Sequence, residues 1–130
     1  MCYFIHLVIT PQNKPDPAYA YAQLAAERHN LCLHEISPGS FTVTNGHCSC
    51  DFVTANALKE PVAAYLADLV QSYPVKYIQV AWLFADHMPP DADVERLTLD
   101  QFNQRNAANN LMMQVWYRLH SPDKYIKTRV

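Results

Sequence analysis

Along this chain the apolar positions switch repeatedly between a period of two and a period near 3.6, so strands and helices are expected to alternate. Residues 3–9 are apolar on both faces apart from His6, the pattern of a central strand. Asp16 and Pro17 supply an N-cap and a first helical turn for an alanine-rich helix running to about His29, which Asn30 can stop in the left-handed conformation. Residues 31–36 and 41–44 read as two strands separated by the turn "SPGS". Val62, Tyr65, Leu66, Leu69, Val70 and Tyr73 then fall on one helical stripe. Pro61 would break a helix interior, so residues 54–60 read as a separate lead-in. Residues 75–84 give the strongest strand pattern after the first. Thr98 with Gln101 forms a capping box for a short helix to about Asn106, and residues 111–119 are a last strand. "PQNKPDP" (11–17) and "DHMPPDAD" (86–93) are loops.

This order, β-α-β-β-α-β followed by α-β, predicts a single α+β domain over residues 1–130. The first six elements match a ferredoxin-like (split β-α-β) sandwich, with an extra C-terminal helix and strand. Such a fold hosts many chemistries and names none of them.

Composition narrows the classes. Half the residues are hydrophobic and 17% are charged, which suits a packed core and not a disordered segment. The formal charge of -2 leaves no basic stripe for nucleic acid; Lys124, Lys127 and Arg129 read as a solvated tail. No apolar window reaches the length of about 18 residues that a membrane span needs. The apolar run "YFIHLVIT" has no basic leader and no cleavage site, so a cytoplasmic setting is expected. There, four cysteines read as ligands, reactive groups or buried apolar residues before they read as disulfides.

Two of those cysteines sit in "NGHCSCD" (45–51). In the expected topology the start of the first strand lies beside the end of the third. Cys2 should then meet His47, Cys48 and Cys50, and the exit of the fourth strand should bring Asp86 and His87 to the same rim. Cys32 would join that rim from an edge strand about 10 Å away. If the stretch leads into a helix N-terminus, the dipole favours a thiolate there. If it is extended, Cys48 and Cys50 point to one side.

The leading expectation is a thiophilic metal site, with zinc the expected ion, built from Cys2, Cys48 and Cys50 and completed by His47 or His87. The CxC spacing differs from the usual zinc clip, which keeps thiol chemistry open. Cys48 and Cys50 would form a strained, reducible disulfide, or one cysteine would act as a nucleophile with His47, His87 or His34 as base. A third class is a non-enzymatic homodimer, formed through an open sheet face where Met112, Gln114, Trp116 and Arg118 lie. In the plainest reading the thiols are packed hydrophobes, His6 is a hydrogen-bonded core residue, and His29 and His120 are exposed. Trp82, Phe84, Trp116 and Tyr117 are sheet packing or the lining of an aromatic cavity. No substrate or reaction is legible. With only Gly39 and Gly46 in the chain, a glycine-rich phosphate loop is excluded.

Overall fold

A computed structural model of the chain describes residues 2–11, 18–73, 75–84 and 93–120. In chain order its elements are β1 (Phe4–Pro11), α1 (Ala18–Arg28), β2 (Cys32–Ser37), β3 (Ser40–Thr44), a 3-10 turn (Cys50–Phe52), α2 (Glu60–Ser72), β4 (Val75–Leu83), β5 (Asp93–Thr98), α3 (Leu99–Ala107) and β6 (Val115–His120). The six strands form one mixed sheet in the order β2-β3-β1-β4-β6-β5. The α+β class therefore holds. The ferredoxin-like sandwich is not confirmed, because the strand order is not that of a ferredoxin fold: β4 is an interior strand flanked by β6, and β5 forms the far edge.

The expected elements form for the expected reasons. Ile5, Leu7 and Ile9 bury one face of β1, and α2 buries Val62, Tyr65, Leu66, Leu69 and Val70 against the same cluster. Burying each such side chain is worth about 1.5–3 kcal/mol, far more than the helix's intrinsic preference. Pro61 sits in the first turn of α2, where its missing N–H costs nothing, so the helix starts at Glu60. In the turn between β2 and β3, Gly39 takes φ 85, a conformation open to glycine at little cost.

Both α1 and α3 end in the same motif. Asn30 (φ 58) closes α1 as Leu31 N–H donates to Ala26 C=O and Asn30 N–H to Glu27 C=O. Asn109 (φ 54) closes α3 as Asn110 N–H donates to Arg105 C=O and Asn109 N–H to Asn106 C=O. The capping box of Thr98 and Gln101 is formed in both directions.

Four details differ from expectation. Strand β5 occupies residues 93–98, a stretch for which no strand is expected from the sequence, and pairs parallel to β6, with α3 as the crossover. The last strand begins at Val115 instead of residue 111, because Gln114 adopts φ 66 and turns its N–H to Trp82 C=O. Leu111 is nevertheless fully buried ahead of the strand. His29 is only half-exposed, its Nε2 lying 3.3 Å from Asp68 Oδ2 across the α1–α2 contact. His120, too, is half-buried and not exposed.

Tyr65 carries a pH consequence. Its ring is buried and its hydroxyl donates to Ala22 C=O; that burial, and secondarily the nearby Asp68 carboxylate, pushes its phenol well above the usual tyrosine range. A raised folded-state pKa makes this contribution complete below about pH 10, where an unfolded phenol stays neutral, and drains it as pH rises further. Urea unfolding followed upward from about pH 8 should therefore show stability falling beyond about pH 10. Tyr65→Phe should make that fall shallower even though it starts from a lower value. An unchanged slope would refute the assignment.

Candidate metal site

The site is assembled where β1 begins and β3 ends, at the rim the strand order places together. The register pairs Ile5 with Val43, so the residues preceding β1 lie beside those following β3. Cys2, Cys48 and Cys50 meet there, with their three Sγ atoms all within 4.8 Å of one another. Cys2 is exposed, while Cys48 and Cys50 are half-buried. All three are free thiols.

The loop owes its shape to small polar residues. Asn45 Oδ1 accepts from His47 N–H (3.1 Å) and Cys48 N–H (3.3 Å), while Asn45 N–H donates to Cys48 C=O (3.0 Å). An asparagine side chain that imitates a backbone turn in this way suits the tip of a tight loop. Gly46 follows at φ +112, a conformation that a side chain would strain even though open space surrounds it. The Asn45 amide also donates to Asp51 Oδ2 (2.6 Å), bracing the loop from its far side.

Ser49 locks this loop to the sheet. It is fully buried, and its hydroxyl is interposed between two strands, accepting from Ile5 N–H (2.9 Å) and donating to Val43 C=O. Ser49 N–H donates to Tyr3 C=O (2.8 Å), and Tyr3 N–H donates in turn to Cys50 Sγ (3.3 Å). With the serine between them turned into the protein, the two flanking cysteines gather at Cys2. The backbone at Ser49 is not extended (φ -107, ψ 13), so their common direction comes from this anchored turn and not from a strand's alternation. A donor aimed at a ligand sulfur, held by the main chain, is the kind of support that orients metal ligands. Beside it the Tyr3 ring stacks on Phe84 at 4.2 Å between centroids, fixing the chain just after Cys2.

The other described residues expected at this rim, Cys32 and His47, are placed by the strand order and the loop. Cys32 opens β2, paired with Thr44 at the sheet edge, and is exposed outside the three-thiol group, because β3 lies between its strand and β1. His47 is exposed, and the group of close ligand atoms does not include its ring. His87 and Asp86 lie outside the described residues. The dipole of the long helix does not act on the thiols, since α2 starts only at Glu60; a three-residue 3-10 turn begins at Cys50 instead. His6 is buried in β1, as expected of a core histidine. Trp82 and Tyr117 are fully buried, and the groove between α2 and α3 is lined by alanine and asparagine side chains such as Ala63, Ala67, Asn103 and Asn106, so it is no aromatic cavity.

Sequence reasoning did not single out Ser49, Asn45 or Tyr3. The Asn-Gly pair was available as a turn signal. A small polar residue framed by two cysteines was available as a candidate anchor.

Chemically, three soft sulfur donors at this separation suit a thiophilic ion. Tetrahedral thiolates around zinc sit about 3.8 Å apart, given bonds of about 2.3 Å, which small side-chain rotations reach from the present spacing. No helix among the described residues is long and apolar enough to cross a membrane. Comparison of the chain with protein-family models, with curated proteins and with solved structures finds no match.

Proposed function

We propose that the chain binds a thiophilic metal ion, with zinc as the ion, through Cys2, Cys48 and Cys50. The observation that carries this reading is the meeting of the Cys2 sulfur with the two sulfurs of a loop more than forty residues away, Cys48 and Cys50, all within 4.8 Å. The donors are all sulfur, which selects soft or borderline ions over magnesium or calcium. Zinc takes four ligands in a closed site, and His47 and His87 are this chain's candidates for the fourth. Cys48 and Cys50 supply charge from one rigid loop; Cys2 closes the site from the neighbouring strand.

Elemental analysis of the purified protein, reconstituted under reducing conditions, should find one bound ion per chain. A Cys48→Ser, Cys50→Ser double variant should hold none. Since an ion that binds only the folded state stabilises it, by about 2.7 kcal/mol at a hundredfold excess over Kd, a strong chelator should lower the melting temperature of the wild type alone. Wild type that takes up no metal and melts identically with and without chelator would reject the proposal. His47→Ala and His87→Ala then identify the fourth ligand by their loss of affinity.

A further inference from the structure

We infer that the same three-thiol cluster is a two-electron redox device in which a hydroperoxide joins Cys2 to Cys48, and so dismantles the metal site. The consequence for metal rests on the reading above; the disulfide does not.

Accessibility, proximity and constraint converge on this pair. Cys2 is the exposed member, so its thiolate is the one a dissolved oxidant reaches. Two further sulfurs wait within 4.8 Å, close enough for either to attack an oxidised Cys2 after side-chain rotation. Cys50 Sγ is engaged by the Tyr3 N–H at 3.3 Å, which leaves Cys48 as the freer nucleophile. A link between Cys48 and Cys50 instead closes a small strained ring across Ser49, whose buried hydroxyl and N–H bind Ile5, Val43 and Tyr3 and resist the required distortion.

The Cys2 thiolate attacks one oxygen of the hydroperoxide; the O–O bond breaks, Cys2 becomes a sulfenic acid, and the other oxygen leaves as hydroxide or alkoxide and is protonated. The Cys48 thiolate then attacks the sulfenic sulfur; the S–O bond breaks, the S–S bond forms, and hydroxide leaves as water. Two thiols are oxidised, and one peroxide is reduced. The cluster loses two of its three donors, so zinc binding should be lost on oxidation and return on reduction.

The test treats the full chain carrying Cys32→Ser, which removes the exposed thiol outside the cluster, with hydrogen peroxide, both zinc-loaded and metal-free. The expected result is the loss of two free thiols, a Cys2–Cys48 peptide link by mass spectrometry, release of zinc to a colorimetric chelator, and full reversal by a dithiol reductant. Adding Cys50→Ser should leave the link in place, while Cys48→Ser should abolish it. A Cys48–Cys50 link, or oxidation of thiols with no intramolecular link, overturns the inference. A chain that never takes up zinc yet forms the Cys2–Cys48 link upholds the disulfide and rejects the metal reading. A zinc-loaded chain that keeps both metal and thiols under peroxide upholds the metal reading and rejects the device.

Discussion

Replacing Trp82 with alanine is expected to remove about 3–5 kcal/mol of folding stability, at least a fifth of the roughly 5–15 kcal/mol that folded domains commonly have. Trp82 is the largest fully buried side chain, placed at mid-sheet where β4 pairs with β1 through Ile5. Its ring stacks on Tyr117 at 6.1 Å between centroids, joining the first half of the sheet to β6. Its Nε1–H donates to Thr54 C=O (3.0 Å), tying down the segment between the thiol loop and α2. Alanine loses the apolar contact, leaves a cavity that the rigid sheet cannot close, and removes the hydrogen bond to Thr54 C=O. Trp82→Phe keeps most of the volume and should cost about 0.5–1.5 kcal/mol, chiefly the net worth of that hydrogen bond, since Thr54 is exposed and water can take the indole's place. Urea midpoints of the two variants separate the terms, and an alanine variant within about 1 kcal/mol of wild type would show that the position is not sealed as described.

Ser49→Ala is the second large effect, and it links fold to site. The substitution changes the side chain by one oxygen, yet it removes the bridge between Ile5 N–H and Val43 C=O at a place without access to water. Leaving a buried donor unpaired costs about 1–3 kcal/mol, so a loss in this range is expected from one atom. The same loop carries Cys48 and Cys50, and weakened support of metal ligands reduces affinity by about 10–100-fold. Zinc titration of the reduced variant, with stability measured in chelator, separates the two losses. A variant that is less stable but binds zinc as tightly as wild type would show Ser49 to be structural alone. Ser49→Thr, which keeps the hydroxyl, is expected to recover affinity where its extra methyl is accommodated.

How much of this is legible in the sequence follows from how many neighbours each segment needs. Helix α2 is legible because its buried positions recur with the helical period, and the α3 start because Thr98 and Gln101 satisfy each other locally. The meeting of Cys2 with Cys48 and Cys50 is legible through strand directions alone. Strand β5 is not, because in Asp93–Thr98 only Leu97 is buried, and an edge strand beside a parallel partner need not show an apolar alternation. The separation of Cys32, by contrast, is legible, because an edge strand two spacings from β1 holds its thiol away from Cys2. Ser49 escapes notice because its worth lies in two main-chain groups of other strands, which no local pattern reveals.

The attachment of the last third of the chain has a kinetic meaning. Among the described residues β6 meets β4 over three paired positions, Ile78 with Leu119, Gln79 with Arg118 and Val80 with Tyr117, whereas β5 and β6 are zipped along their full length. The β5-α3-β6 segment is nevertheless fastened to the rest beyond that strand pair: Asn106 brackets Leu58 N–H and C=O, Leu111 N–H donates to Asn56 C=O, and Tyr117 packs on Trp82, so it should unfold together with the rest of the sheet. The tip of the thiol loop, Asn45 to His47, is exposed while β6 buries Tyr117 and Leu119, so during slow exchange with deuterated water the amide protons of β6 should outlast those of that tip.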